Sequence, residues 1–235
     1  MSPGWAAPPG TAGATGPTTP GARLRVAFVD DDTVIRVGTP MLLDSIDSAG
    51  GFASVEELLQ AHPPADIVLL DLHLTGTGRV DVTQGANAIG VVTKAGYRVL
   101  IYTNERRREV LAGCLAAGAH GVVHKAEPLE RVADALAAVS RDEVVITTAL
   151  AGLAELVERW GELPSLTPRQ RQVLSRRARG EQYQQIASHL GIGVRTVEGH
   201  LADIGARFAQ YLRHHSAADL ERYLGVGPGD VLHRP

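Results

Sequence analysis

The chain has 235 residues, of which 44% are hydrophobic and 21% charged, with one cysteine and a formal net charge of −3. This composition is normal for a soluble globular protein, and a single cysteine excludes an intramolecular disulfide. No apolar run approaches the roughly 20 residues that span a bilayer, and residues 1–22 lack the basic start and apolar block of a secretory signal. We therefore expect a cytoplasmic protein with no membrane partner and with a disordered tail at residues 1–22.

Charge is unevenly distributed along the chain. Residues 23–163 contain 13 Lys and Arg against 20 Asp and Glu, whereas residues 164–225 contain 9 against 5. An acidic front part and a basic rear part indicate that only the rear part meets nucleic acid.

From residue 23 to residue 139, short hydrophobic runs alternate with helical stretches. The runs are LRVAFV (24–29), IVLL (67–70), RVLIYT (98–103) and GVVH (121–124), with a weaker strand within 49–54. The helical stretches lie near 33–46, 55–62, 84–95, 105–117 and 128–139. Nearly continuous hydrophobic strands separated by helices predict an α/β doubly wound five-stranded parallel sheet, whose ligands bind beyond the carboxyl ends of the strands.

Residues 140–163 form a predicted linker that contains a helix. Leu150, Leu153, Leu156 and Val157 recur at helical spacing. We expect this apolar stripe to pack on a domain or on a second copy of the chain rather than to form a free spacer.

The rear part, residues 164–225, is predicted to be a small all-α domain, followed by a tail at 226–235. Thr167, Pro168 and Gln170 form a capping box with proline in the first turn of a helix that ends near Gly180. Further helices are predicted at 182–190, from 194 to 212 and at 216–224, with Gly191 in the tight turn between the first two of these. Helix, tight turn and helix is the arrangement that places a second helix in the major groove of DNA.

Charged and hydroxyl side chains follow four of the predicted strands. Asp30, Asp31 and Asp32 follow the first strand, Asp71 the third, Thr103 ends the fourth and Lys125 follows the fifth. Clustered carboxylates repel one another unless a cation lies between them, and Mg²⁺ prefers such oxygen ligands. Any one of these acids could simply be a solvated cap. Their order on successive strands favours a site in which an aspartate attacks a phosphoryl group, stabilised by Mg²⁺, Lys and Thr.

On these residues, the stretch 24–139 resembles the receiver domain of two-component response regulators, a flavodoxin-like fold. The segment that begins Val29-Asp30-Asp31-Asp32 and includes Arg36 is similar to the family's opening. The resemblance implies that Asp71 is the phosphoacceptor and that Asp30, Asp31, Asp71 and the backbone carbonyl of His73 hold Mg²⁺. It also implies that Thr103 and Lys125 bind the phosphoryl group. Asp32 occupies a variable position, where a solvated side chain is expected.

Three departures from the family pattern leave the phosphorylation-site residues in place, although Asn104 could crowd access of the phosphate, and they interrupt the conventional relay from the site. The loop after Asp71 is long and has Thr75 in place of the usual proline. Asn104 stands where a small residue usually follows the threonine. The aromatic switch residue expected before the lysine is absent, because Val122, Val123 and His124 occupy its neighbourhood.

The segments LTPRQRQVL (166–174) and QIAxxLGIxxRTVExHL (185–201) are similar to the LuxR-type domain of NarL/FixJ response regulators. The matching recognition helix is 194–208. By residue match, Arg195, Thr196 and His200 are expected to contact the DNA backbone, and Glu198, Gly199 and Ala202 to approach base edges. Glu198 either accepts a hydrogen bond from cytosine or caps the helix start. The arginines of the first helix are either phosphate-facing or a solvated face: Arg169, Arg171, Arg176, Arg177 and Arg179.

Together these features predict a transcription regulator that binds double-stranded DNA and is switched by a sensor histidine kinase through Asp71. We expect no enzymatic turnover beyond receiver phosphorylation, and a homodimer in the active state. One alternative is a regulator gated by a ligand or a protein, independently of phosphorylation. A second is a phosphatase or phosphotransferase of the haloacid-dehalogenase type. Such enzymes need an acid two residues after the nucleophile, where this chain has His73.

Overall fold

The structure, a computed structural model, describes residues 23–74, 83–159 and 166–214. The predicted tails at 1–22 and 226–235, the helix at 216–224 and most of the long loop after Asp71 lie outside these residues. None of the helices in the described ranges combines the length and the apolar character that crossing a bilayer requires.

Five parallel strands form one sheet in the order β2-β1-β3-β4-β5. The strands are β1 (Leu24–Val29), β2 (Ile46–Phe52), β3 (Ile67–Leu70), β4 (Arg98–Thr103) and β5 (Gly121–His124). All four residues of β3, at the centre of the sheet, are buried, as expected for a strand covered by helices on both faces. The predicted doubly wound sheet is confirmed, and four strands have the predicted bounds.

The second strand and the helix before it differ from the prediction. The helix α1 (Thr33–Met41) ends five residues earlier than expected, and β2 begins at Ile46 instead of near 49. Parallel pairing with β1 recruits the polar residues at the start of β2, beginning with Leu24 opposite Ile46. The sequence of β2, IDSAGGF, has little intrinsic strand preference, so tertiary pairing decides its bounds.

Helices cover both faces of the sheet. They are α1, α2 (Val55–Ala61), α3 (Gly85–Lys94), α4 (Arg108–Ala116) and α5 (Leu129–Ser140). One face packs with α5 and with Leu43, which follows α1, and the opposite face packs with α2, α3 and α4. The helix α4 begins three residues later than predicted, because the Glu105 carboxylate accepts hydrogen bonds from the backbone N–H groups of Arg106 and Arg107.

The linker is extended first and helical afterwards. Val145 forms an isolated parallel bridge with Gly121 at the edge of β5. The helix α6 (Thr148–Arg159) then packs against α4 and α7 (Pro168–Ala178). Because Leu150, Leu153 and Val157 are buried there, the prediction that this stripe packs on a domain is confirmed for these residues.

Three helices form the C-terminal part: α7, α8 (Tyr183–Leu190) and α9 (Val194–His214). The Thr167 side chain accepts a hydrogen bond from the N–H of Gln170, and the Gln170 side chain accepts one from the N–H of Thr167, which confirms the capping box. Gly191 has φ of 61°, the left-handed conformation that the tight turn requires. The predicted helix-turn-helix is therefore present.

The helix α9 also lies against the α/β part of the chain. It contacts α4 and the linker, and Gly205 of α9 is buried there. A Cβ atom at this position would lie 2.6 Å from the Val144 carbonyl oxygen and 3.1 Å from the Ile146 side chain. The glycine therefore permits the close approach of α9 to the linker.

Candidate functional site

The acidic residues predicted from the strand ends converge at one edge of the sheet. Asp30, Asp31 and Asp71 each offer a carboxylate oxygen, and these oxygens all lie within 4.8 Å of one another. Asp30 and Asp71 are buried, whereas Asp31 is half-buried. Three hard oxygen donors at this separation suit a divalent cation such as Mg²⁺.

Lys125 joins two of these carboxylates. Its ammonium lies 2.7 Å from Asp30 Oδ2 and 2.9 Å from Asp71 Oδ2, with little exposure of any of the three side chains. Burial alone would lower the pKa of Lys125, but its hydrogen bonds to the two carboxylates outweigh burial and raise that pKa. Burial raises the pKa of Asp30, and the hydrogen bond from Lys125 offsets only part of that rise. Two acids therefore share one cation.

The loop after β1 is fixed by its own polar groups. Asp30 Oδ1 accepts a hydrogen bond from the N–H of Asp32, and Asp32 Oδ1 accepts one from the N–H of Val34. Asp32, expected to be only a solvated neighbour, is exposed but also caps α1. Arg36 Nη1 donates to the carbonyl oxygens of Asp30 and Asp31 at 2.6 and 2.9 Å. Arg36 therefore positions the acidic pair through the backbone.

Thr103 lies beside the cluster and is fully buried. Its carbonyl oxygen accepts a hydrogen bond from the N–H of Lys125, and its hydroxyl accepts one from the N–H of Glu105. The side chain of His73 approaches Glu105, with Nε2 3.9 Å from Oε2. Glu105, which the sequence analysis did not single out, thus lies between the loops that follow β3 and β4.

Glu105 is held in its charged form. Hydrogen bonds from the Arg107 guanidinium, with further bonds from backbone N–H groups, lower the pKa of Glu105 to about 2. Its position two residues after Thr103, which ends β4, could have indicated that Glu105 lies near the site. Nothing in the sequence identified Arg107 as its partner. The carboxylate organises the loop at the entrance to the site.

The neighbourhood of the absent aromatic residue is filled differently. Val122 and Val123 are buried, and His124 is half-buried at the end of β5. Arg106 Nε donates to His124 Nε2 at 3.3 Å. This histidine nitrogen also lies 3.1 Å from the carbonyl oxygen of Asn104. A polar connection thus joins β5 to the loop that follows Thr103.

The candidate DNA-contacting residues of α9 lie on its first turns. Arg195, Thr196, Glu198 and Gly199 are exposed. Half-buried positions are His200 and Ala202. The apolar side of the recognition helix, including Val197 and Leu201, is buried against the other helices.

The arginines of α7 do not form one uniform face. Arg169 donates to the Leu190 carbonyl oxygen at 2.6 Å, which ties α7 to the end of α8, and Arg171 pairs with Glu158 of α6 at 2.5 Å. Arg176 pairs with Glu181 at 2.9 Å. Arg177 is only 6% exposed, which corrects both the solvated and the phosphate-facing interpretation for this residue.

A cleft separates the recognition helix from the α/β part. Glu198 and Ala202 of α9 line one wall, and Asp134 and Ala138 of α5 line the other. Its volume is about 250 Å³. Glu198 and Ala202, two of the positions expected to approach base edges, therefore face α5 in this arrangement, whereas Gly199 is exposed.

A five-stranded parallel sheet with an acidic site at its carboxyl edge, followed by a helix-turn-helix, defines a response regulator with a DNA-binding output domain. Comparisons with known proteins agree with this class. Residues 164–218 match the family described as bacterial regulatory proteins, luxR family. The probable transcriptional regulatory protein SgaR of Hyphomicrobium methylovorum is 33% identical over 78% of this chain and 85% of its own length.

Other relatives carry response-regulator names. The nitrate/nitrite response regulator protein homolog of Haemophilus influenzae is 29% identical, and VraR of Staphylococcus aureus is 28% identical, each over 77% of this chain and 88% of its own length. A solved structure of two RcsB dimers bound to two parallel DNAs has the same fold, with a TM-score of 0.51 and 19% identity over 87% of this chain and 98% of that one. The chain belongs to the NarL/FixJ-type response regulators, which are DNA-binding transcription regulators with a LuxR-type helix-turn-helix.

Proposed function

We propose that Asp71 accepts a phosphoryl group from a partner histidine kinase or a small phosphodonor, and that this event controls DNA binding. Residues 23–139 serve as the receiver domain, 140–163 as the linker and 164–225 as the DNA-binding domain. The observation that carries the proposal is the junction of Asp30, Asp71 and Lys125 at distances of 2.7 and 2.9 Å.

The chemistry follows from the groups around Asp71. One of its carboxylate oxygens attacks phosphorus, while the bond from phosphorus to the donor's leaving atom breaks. Lys125 exchanges its contact with Asp71 Oδ2 for a phosphoryl oxygen, and the Thr103 hydroxyl, which is buried and accepts from the N–H of Glu105, donates to another once it becomes accessible. Asp30, Asp31, Asp71 and the His73 carbonyl would hold Mg²⁺, which supplies the positive charge that a phosphoryl group between carboxylates requires.

The output is double-stranded DNA binding by α9. Arg195, Thr196 and His200 contact the backbone, while Glu198, Gly199 and Ala202 approach base edges, and Arg169 and Arg171 add phosphate contacts once freed from their present partners. The narrow cleft supports a mechanism in which phosphorylation separates the two domains. A homodimer then binds paired half-sites, because such domains read DNA two-fold symmetrically.

A regulator that works without phosphorylation is the second candidate. The complete burial of Thr103 favours it, as does the lack of an aromatic residue in the neighbourhood of Val122, Val123 and His124, because both interrupt a conventional relay. A phosphatase is disfavoured, because the family consists of DNA-binding regulators and His73 stands where the second acid would be needed.

Phosphoryl transfer can be tested directly on the full chain. Incubation with acetyl phosphate and Mg²⁺ should add one phosphoryl group to the wild type, detected by intact mass, and none to Asp71→Asn. Asp44→Asn, which changes an exposed acid outside the cluster, is the matched control and should be modified like the wild type. Equal modification of Asp71→Asn would refute the assignment of the phosphoacceptor.

A further inference from the structure

A second cavity, next to α8, adjoins the cleft between the two parts of the chain and shares lining residues with it. Its volume is about 730 Å³, within the usual range of small-molecule sites. Its charged and aromatic lining comes from both sides: Glu127, Arg131, Asp134, Arg177, Tyr183 and Glu198. None of the phosphorylation-site residues lines it.

Arg177 is a buried cation without a matching anion. Its Nη1 donates to the Glu181 carbonyl oxygen at 3.3 Å, whereas its Nε has no hydrogen-bond partner in the described part of the chain. No carboxylate among the described residues lies within 4 Å of it. A buried guanidinium is costly unless its charge is compensated, and Arg177 lines the cavity, so an anion bound there would supply that compensation.

A second guanidinium meets Arg177 across the cleft. The Cζ atoms of Arg131 and Arg177 lie 5.0 and 5.2 Å from the centroid of the Tyr183 ring. Arg131 belongs to α5; its Nη2 donates to the Gln182 side-chain oxygen at 2.5 Å, and its Nη1 lies 3.9 Å from Asp134 Oδ2. Both guanidiniums therefore lie at the same ring, and a guanidinium presents paired N–H donors that match a carboxylate.

The same cleft also contains acids. Glu127, Asp134 and Glu198 line it, so a highly charged anion such as a nucleotide would be repelled. A molecule with one carboxylate and one ammonium matches both halves of the lining.

We propose that this cleft binds a small zwitterion of the amino-acid class, with its carboxylate on Arg177 and Arg131 and its ammonium toward Glu127, Asp134 and Glu198. The ligand contacts both domains and therefore stabilises their docked arrangement. The consequence for DNA, a lower affinity when the ligand is present, rests on the proposed function, whereas binding itself does not.

Calorimetric titration of the full chain with the protein amino acids, one at a time, tests the proposal. At least one should bind saturably, and Arg177→Met and Arg131→Met should each weaken that binding by about tenfold or more. Arg131 is half-buried, whereas Arg177 is buried, so the Arg131→Met variant provides a second test if Arg177→Met fails to fold. Arg25→Met, which changes an exposed receiver arginine paired with Asp66, is the control and should bind like the wild type.

Three outcomes would overturn the proposal. They are binding of none of the amino acids, undiminished binding in both cleft variants, and equally tight binding of the carboxylic acid that lacks the amino group. Asp71→Asn should retain amino-acid binding, so a failure of the phosphorylation mechanism and a failure of the cleft site give different results.

Discussion

Lys125 is the residue that compensates the negative charge of the acidic cluster at the carboxyl edge of the sheet. Its ammonium lies between Asp30 and Asp71, so the two buried carboxylates are compensated by one charge. Removing one partner of a buried ion pair is strongly destabilising, because the remaining charges lose their compensation. A divalent cation held by the same carboxylates would restore it.

Lys125→Met should therefore lower the free energy of unfolding by about 3 kcal/mol in the presence of a chelator. Saturating Mg²⁺ should recover much of this loss, because the cation takes over the role of the ammonium. Urea unfolding with and without Mg²⁺ measures both values. Lys94→Met, which changes the exposed lysine at the end of α3, should have little effect in either condition. An identical loss with and without Mg²⁺ would contradict this account of the cluster.

Glu105 makes the free energy of unfolding depend on pH, and the sign of this dependence follows from its lowered pKa. Its pKa is lowered in the folded state to about 2 from an ordinary 4.5, so its interactions with Arg107 stabilise the protein above pH 4.5. That contribution is lost as the pH falls from 4.5 toward 2, because the folded state must then bind a proton at a carboxylate it holds charged.

Between these pH values, the wild type should lose about 1 kcal/mol more stability than Glu105→Gln, after allowance for solvent screening. Urea unfolding of both proteins over this pH range provides the comparison, and the other carboxylates, common to both, cancel in the difference. Parallel curves would show that Glu105 is not held by Arg107.

Arg177 shows why residue-level prediction was incomplete. It lies four residues after Val173 and three after Leu174, on the apolar face of α7, so its position in the helix did carry a signal. The sequence analysis grouped it with its exposed neighbours because all are arginines. Arg131, whose guanidinium lies over the same Tyr183 ring, is 46 residues away, and no local pattern links the two arginines across a domain boundary.

At the scale of elements, local sequence signals were sufficient wherever the bounds of a helix or strand depend on neighbouring residues in the sequence rather than on tertiary contacts. Hydrophobic runs predicted β1, β3, β4 and β5 to the residue, and the capping box at Thr167 and the turn at Gly191 were predicted from residue type. The end of α1 and the start of β2 depend on pairing with β1, and the start of α4 depends on Glu105. These bounds required tertiary contacts that periodicity does not contain.

The packing of α9 on the linker provides a test of domain docking. Gly205→Leu places a side chain where a Cβ atom alone would be 2.6 Å from the Val144 carbonyl oxygen. The linker and α9 must separate, so DNA affinity without a phosphodonor should rise on the order of tenfold, a typical coupling between sites.

Fluorescence anisotropy with labelled DNA measures this affinity. Gly90→Leu, on α3, is the matched control, because a Cβ there meets nothing within 4 Å, and its DNA affinity should equal that of the wild type. Circular dichroism establishes that both variants keep their helices. A folded Gly205→Leu with unchanged DNA affinity would mean that docking of α9 does not restrain DNA binding.

At the scale of the whole molecule, one continuous hydrophobic core joins the sheet, which carries the acidic cluster, to the helix-turn-helix. The buried residues of the α2–α4 face of the sheet continue through α6 into α7, α8 and α9. The side of the recognition helix that bears Glu198 and Ala202 faces α5, which packs on the sheet. The acidic cluster lies at the carboxyl edge of that sheet. Protein interiors transmit such changes because packed interfaces switch between discrete arrangements. A change at Asp71 can therefore alter the exposure of α9.

The most direct measurement is the affinity of the full chain for DNA selected from a random pool, with and without beryllofluoride and Mg²⁺. The account predicts that the phosphoryl mimic raises the affinity of the wild type on the order of tenfold and leaves that of Asp71→Asn unchanged. An equal response in Asp71→Asn, or no response in a wild type shown to bind beryllofluoride, would contradict control of DNA binding through this aspartate.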